Sequence, residues 1–493
     1  MLIRHDHTSA GTDELTGWFP HDLMIDGRTQ ESSTRERFEV LNPATGEVIA
    51  SVASASVADG LAAVRAAERA LPIWSAKSPR ERAEVLRRTF ELMRERSEDL
   101  ARLIVLENGK SLADARGEIA YATEFFRWYS EEAVRLIGSV QHAPSGQNRI
   151  LVTHQPIGVS VLVTPWNFPA AMATRKIGPA LAAGCTVIVK PASDTPLTAL
   201  AIGQLLRDAG VPDGVVNVIP SRRSGTVVSA MLDDPAVRKL SFTGSTEVGR
   251  VLLANASKTV VNCSMELGGN APFLVFGDAD IDKAIDGAML AKMRNGGEAC
   301  TAANRFYVHS SIAAEFSARL SARMGELRVG DGLEAEVELG PLINDEARAK
   351  VDALVSAARD AGATAMTGGA PDDGIGYYYP PTVLVDVAPD SPILREEIFG
   401  PVAPIVTFET DDEAIAMANN TEYGLVAYVY TSDLARGLAV SERLETGMVG
   451  LNRGIVSDPA APFGGFKQSG LGREGGHEGM LEFTESQYIA VAW

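Results

Sequence analysis

Cysteine is scarce in this chain: three residues in 493, at Cys185, Cys263 and Cys300. An odd count without a CxxC pair excludes a disulfide framework and the usual cysteine spacing of a metal site. It suits a reducing compartment, and the cytoplasm is the expected location. Histidine is almost as rare, with seven scattered residues of which only His5 and His7 lie close together. No metal is expected. Long apolar runs are missing too: none approaches the ~18–20 residues that span a bilayer. Met1 to Gly17 is polar and carries acids, without the apolar centre of a signal peptide. A short N-terminal tail, 1–18, is expected there. Positive charge is in deficit, with 45 Lys and Arg against 64 Asp and Glu, a formal net charge of -19. Binding nucleic acid through phosphates normally requires a basic face. Neither nucleic acid nor a membrane is therefore an expected partner.

What is present has the balance of a globular protein, 45% hydrophobic and 22% charged. The length corresponds to about two to four structural units. Asn42-Pro43-Ala44-Thr45-Gly46-Glu47 predicts a turn between two β-rich runs. Ser78-Pro79-Arg80-Glu81 has the form of a capping box, and Ala83, Leu86, Phe90 and Met93 follow at helical spacing. From Ile157 to about Met265, β-branched runs alternate with helical segments. The runs are Val159–Val163, Thr186–Val189, Val215–Ile219, Leu240–Phe242 and Thr259–Val261, and Thr195-Pro196 opens a helix that ends near Gly210. That alternation predicts a parallel sheet with helices on its faces, a mononucleotide-binding architecture by class. A second α/β stretch runs from Glu266 to about Arg453, with loops at Gly330–Gly340, Gly368–Gly376 and Tyr377–Pro381. The chain ends on an apolar strand, Tyr488 to Trp493, with little left to cover it. Such an edge is expected to pair with another subunit.

Several short segments carry chemistry. Cys300 follows two glycines in Asn295-Gly296-Gly297-Glu298-Ala299-Cys300-Thr301, where the backbone can approach a ligand closely. A lone cysteine is otherwise a small buried hydrophobe. Glu266, in Met265-Glu266-Leu267-Gly268-Gly269-Asn270, is either a satisfied carboxylate or a base tuned by burial. Pro165-Trp166-Asn167-Phe168-Pro169 follows a strand end, the side of an open α/β sheet that faces ligands. Its Asn167 offers an amide donor to a developing oxyanion. Phe242-Thr243-Gly244-Ser245 reads as a strand, a turn and a helix start suited to phosphate. Gly470-Leu471-Gly472-Arg473-Glu474-Gly475 matches G-x-G-x-x-G, but no βαβ unit can follow it so near the C-terminus.

Together these segments resemble the aldehyde dehydrogenase superfamily from about Phe19 onwards. The resemblance rests on PWNFP at 165–169, KPAS at 190–193, FTGSTEVG at 242–249, MELGGN at 265–270, GGEAC at 296–300, EEIFGP at 396–401 and PFGGFKQSG at 462–470, in family order. The separation of 34 residues from Glu266 to Cys300 (300 − 266) also fits. It implies an α/β fold: a Rossmann-like parallel-sheet cofactor domain, an α/β catalytic domain and a small β oligomerisation element. The dinucleotide-binding domain would take 19–132 and 153–265, the catalytic domain 266–453, and the oligomerisation element 133–152 and 474–493, in a homodimer or homotetramer.

By the same resemblance Cys300 attacks an aldehyde, Asn167 and the Cys300 backbone N–H hold the oxyanion, and Glu266 activates the cysteine or the deacylating water. Lys176 stands near the oxyanion and cofactor. Dinucleotide contacts fall to Trp166, Asn167, Lys190, Pro191, Ala192, Ser193, Gly244, Ser245, Leu267, Glu397 and Phe399. Ser193 stands where NAD-preferring relatives often carry glutamate, so NADP is the expected cofactor, with NAD possible. Within the family the chain is similar to succinate-semialdehyde dehydrogenases in Met172 to Lys176, Lys292 to Asn295 and Gly454 to Ser457. That likeness gives Arg175, Arg294 and Ser457 the distal carboxylate, a charge-assisted contact. Another ω-carboxy or aliphatic aldehyde, such as glutarate semialdehyde, is the alternative. A cysteine hydrolase or a silent binding protein is the rival class, and the sequence places no histidine base beside Cys300. Ala302 stands where many of the similar enzymes carry a second cysteine, so no local disulfide switch is expected.

Overall fold

The computed structural model describes residues 15–371 and 374–492, so most of the expected tail lies outside the described residues. Three sheets organise the chain. The first has eight strands, in the order Arg28–Gln30, Leu23–Ile25, Val216–Val218, Thr186–Lys190, Val159–Val163, Val237–Thr243, Asn262–Glu266 and Gly470–Leu471. The five from Val216–Val218 to Asn262–Glu266 run parallel. Val159–Val163 and Thr186–Lys190 are buried at every position. Helices cover both faces of a parallel sheet, so such strands read as continuous apolar runs.

The expected local signals hold in several places. The Asn42 turn joins antiparallel strands Arg37–Leu41 and Val48–Ala53. Ser78 and Glu81 cap the Pro79–Glu95 helix reciprocally, and its Ala83, Leu86, Phe90 and Met93 are buried in the core. The helix after Thr195-Pro196 spans Leu197–Asp208, and Gly210 follows with a φ of 94°.

One expected strand is wrong. Thr259–Val261 is a turn out of the Thr246–Ala256 helix, and the strand begins at Asn262. Val260 takes a φ of 55° and is 89% exposed. The pairing of Leu240 with Cys263 fixes where the strand lies. The preceding residues must reverse the chain, and that need overrides their β preference.

The second sheet has seven strands, in the order Thr364–Thr367, Thr382–Val385, Val402–Phe408, Ala303–His309, Ala271–Val275, Val426–Tyr430 and Met448–Leu451. Only the Thr364–Thr367 edge is antiparallel. In the small third sheet, Thr484–Val491 pairs with Arg149–Pro156 over its whole length, and Ser139–His142 flanks the other side. Its surface leaves Val140, Tyr488 and Ile489 exposed. Among the described residues no helix is long and apolar enough to cross a membrane.

Candidate active site

The parallel strands of the first sheet deliver their C-terminal ends to one cavity of about 530 Å³. Val159–Val163 leads into Trp166 and Asn167, Val237–Thr243 into Gly244 and Ser245, and Asn262–Glu266 into Leu267, all of which line it. From the other side come Cys300, Arg294, Glu397 and Phe399, with Ser457 and Arg175 completing the wall.

Cys300 reaches this position through an unusual stretch of backbone. Asn295, Gly296 and Gly297 take φ values of 54°, 61° and 78° in succession, in the left-handed region. At Gly297 a Cβ would lie 2.3 Å from the Gly400 carbonyl, so only glycine lets this loop pack on the Glu397–Gly400 segment. Gly269 is equally constrained, because a Cβ there would lie 2.4 Å from the Cys300 carbonyl. The loop is pinned by Asn295, whose N–H donates to Asp114 at 2.9 Å and whose Nδ2 donates to the carbonyls of Asn167 (2.9 Å) and Glu298 (3.0 Å). Asn167 Nδ2 also donates to the Glu298 carbonyl at 2.9 Å, leaving its second N–H for a ligand.

Burial pushes the Cys300 thiol up to about 12, with the charge of Arg175 opposing. The resting group is therefore a thiol that needs a proton acceptor. Glu266 is a buried carboxyl whose two oxygens have no hydrogen-bond partner. Burial and then the nearby charge of Glu474 hold it well above the usual carboxylate range, while Arg175, Lys176 and Arg473 pull the other way. It does not line the cavity but stands behind the wall. A carboxyl raised by burial is a stronger proton acceptor than an ordinary one.

Glu474 is the residue that sequence reasoning missed. One oxygen is held by Lys176 and Ser241, and the other lies 2.5 Å from Arg175 Nε. Burial works against its charge, yet Lys176 and Arg175 keep its carboxyl below the ordinary value. Lys176 is accordingly part of a buried ion cluster and does not reach the cavity wall. Arg175 does reach it, with its guanidinium 4.2 Å above the Phe463 ring. Arg294 differs: it makes no ion pair or hydrogen bond among the described residues, and its guanidinium sits 5.0 Å from the Phe168 ring centre. The two arginines thus share a cavity but differ in their partners: Arg175 is ion-paired to Glu474, whereas Arg294 makes no ion pair among the described residues.

The expected cofactor residues divide between the cavity and a neighbouring strand end. Trp166 and Phe399 meet edge to face, 5.4 Å between ring centres. Glu397 accepts the Gly269 N–H at 3.0 Å, and burial pushes its carboxyl up to about 7. Lys190, Pro191, Ala192 and Ser193 lie off the cavity wall, tied to it where the Thr164 N–H donates to the Lys190 carbonyl at 3.2 Å. Lys190 is buried with no ion pair among the described residues, and burial pulls its ammonium down to about 8, with the charge of Asp194 opposing. Ser193 is half-buried. Ser245 caps the Thr246–Ala256 helix, whose start faces the same space. An unpaired buried cation, a helix start and an acceptor carboxylate together fit a dinucleotide with its ribose hydroxyls and phosphates.

The three cysteines are free. Gly470 and Leu471 of the phosphate-motif look-alike form an antiparallel edge strand against Met265 and Glu266, which is not a dinucleotide turn.

Comparison with known proteins agrees with this geometry. The family model described as the aldehyde dehydrogenase family matches residues 29–489. A succinate-semialdehyde dehydrogenase of Paenarthrobacter nicotinovorans is 57% identical over 445 residues, 90% of this chain and 99% of that protein. A glutarate-semialdehyde dehydrogenase of Pseudomonas aeruginosa is 48% identical, covering 96% of this chain and 98% of that one. Among solved structures, an NADP-dependent enzyme of Escherichia coli superposes with a TM-score of 0.95 at 47% identity, over 98% of this chain and 99% of the other.

Proposed function

The chain belongs to the aldehyde dehydrogenase family, and we propose that it oxidises succinate semialdehyde to succinate through a thioester on Cys300, with NADP preferred over NAD. The observation that carries the substrate is Arg294, a guanidinium in the wall of the cavity that holds Cys300, with Asp114 near enough to feel its charge but no ion pair or hydrogen bond among the described residues. A charged side chain without a partner in such a place is completed by an anion on the ligand. Ser457 and the cavity-facing edge of Arg175, whose Nη2 donates to Met172 Sδ at 3.2 Å, give the distal carboxylate further donors.

The chemistry follows from the side chains. Glu266, ionised, takes the proton from the Cys300 thiol as sulfur attacks the aldehyde carbon. The resulting oxyanion is held by the spare N–H of Asn167 and the backbone N–H of Cys300, donors fixed before the reaction begins. Collapse of this adduct expels a hydride and leaves a thioester, so one hard oxidation becomes two easier steps. The bound nicotinamide dinucleotide supplies the hydride acceptor. Glu266 then passes the thiol proton to solvent and, ionised again, takes a proton from the water that attacks the thioester. The C–S bond breaks and Cys300 leaves as a thiolate that is reprotonated. Arg175 and Lys176 favour the ionised form of Glu266, and Glu474 opposes them.

For the cofactor, Glu397 and Phe399 would hold the nicotinamide ribose and ring. Lys190 and the small Ser193 leave room and positive charge for a 2′-phosphate, which supports NADP while still admitting NAD. The exposed sheet of Ser139–His142, Arg149–Pro156 and Thr484–Val491 supports a homodimer or homotetramer. Three unpaired cysteines suit the cytoplasm.

A panel of succinate semialdehyde, glutarate semialdehyde and butanal, assayed with both cofactors, tests the proposal. Arg294→Ala is expected to cost on the order of 10²-fold in kcat/KM on the carboxylated aldehydes and little on butanal. Equal losses on all three would sink the anion reading. The 48% identical relative favours glutarate semialdehyde as the second reading. A preference for the five-carbon substrate over succinate semialdehyde would establish it.

A further inference from the structure

We propose that Lys110, held by Glu118, is a positioning residue for the oxyanion donor: it fixes the main-chain carbonyl of Asn167 and so aims that residue's amide. The inference rests on the role given to Asn167 above.

It begins with a corner in the chain. Gly109 ends the Ser97–Asn108 helix with a φ of 90°, and Ser111 caps the Leu112–Glu132 helix. Lys110 stands in the corner and turns inward, with its side chain 1% exposed and that of Glu118 fully buried. The ammonium donates to Glu118 Oε2 at 2.6 Å and to the Asn167 carbonyl at 2.7 Å, 4.3 Å from the centre of the Phe168 ring. Glu118 uses its other oxygen to accept the N–H groups of Ala170 (2.8 Å) and Ala171 (3.2 Å). These belong to the first turn of the Pro169–Ala183 helix, which has no side-chain cap of its own. One ion pair therefore grips the chain on both sides of Phe168.

The same loop is held elsewhere by weaker means. Asn108 Nδ2 donates to the Trp166 carbonyl at 3.1 Å, and Asn295 gives the Asn167 carbonyl its second donor. Among the described residues only Lys110 links Asn167 through a charge to the helix that follows it. Stability alone does not explain such a pair, because apolar replacements of buried ion pairs are often neutral or better. Placement does. A donor displaced by about 1 Å can lose on the order of 10²-fold in rate.

The test uses full-length enzyme with cofactor and succinate semialdehyde. Rates are expressed per Cys300 titrated by its acylation burst, so that any unfolded fraction is removed. Lys110→Met should lower kcat by about 10-fold or more and leave the cofactor KM nearly unchanged. Lys110→Met/Glu118→Gln keeps an acceptor for Ala170 and Ala171 and removes the stranded charge. It should recover Tm but not kcat. In an Asn167→Ala background, Lys110→Met should cause no further loss, since both changes act on one donor. Wild-type kcat in Lys110→Met, recovery of kcat in the double variant, or losses that multiply with Asn167→Ala would each overturn the proposal. Asn167→Ala at wild-type kcat would instead sink the underlying oxyanion role.

Discussion

Burial raises both Cys300 and Glu266 above their ordinary values, which favours the protonated form of each. In the proposed mechanism the base is ionised Glu266, so kcat/KM should rise with pH as Glu266 loses its proton. Glu474 raises Glu266 by like charge. Glu474→Gln removes that anion and leaves Arg175 and Lys176 uncompensated, and both changes favour ionised Glu266. The rising limb of the pH profile is therefore expected at lower pH in this variant. A limb that stays in place or moves up would contradict the assignment. Sequence singled out Cys300, Glu266 and Asn167 because each sits in a short motif with glycines or prolines around it, and the fold brings Cys300 and Asn167 to one cavity. Glu474 could not. Its partner Lys176 lies 298 residues away, and the glycines around it imitate a different motif.

Secondary structure was legible where the signal is local. Ser78 and Glu81 announce a helix start four residues wide, and the apolar runs of Val159–Val163 and Thr186–Lys190 need no partner to be recognised. Thr259–Val261 failed because its composition favours a strand while its neighbours require a reversal. The corner at Lys110 and the left-handed run at Asn295–Gly297 were hidden for a related reason: each conformation is dictated by a segment distant in the chain. Gly297 gives the sharpest check at this scale. Gly297→Ala forces a Cβ onto the Gly400 carbonyl and a side chain into a φ of 78°. A cost of about 1–3 kcal/mol is expected from the backbone alone, seen as a lower Tm, with loss of kcat as the Cys300 loop shifts. An unchanged kcat would show that the loop's shape is not what places the sulfur.

Taken as a whole, the molecule sets a cavity carrying an unpaired guanidinium inside a chain of net charge -19. Composition argued against a basic surface but could say nothing of one arginine. The division into sheets followed from the alternation of strand and helix, whereas the small third sheet joins Arg149–Pro156 to the far end of the chain. Its exposed Val140 and Ile489 predict subunit contact. Light scattering should find a dimer or tetramer, and Val140→Asp with Ile489→Asp should shift it to smaller species. Arg175, finally, leans on Glu474 at one side and borders the cavity on the other. An aldehyde with an acidic tail draws part of that positive charge away from the base, and an uncharged one leaves it where it was. The reaction should therefore need a more alkaline medium for succinate semialdehyde than for butanal: the tail of the molecule being oxidised helps to set the proton affinity at its head.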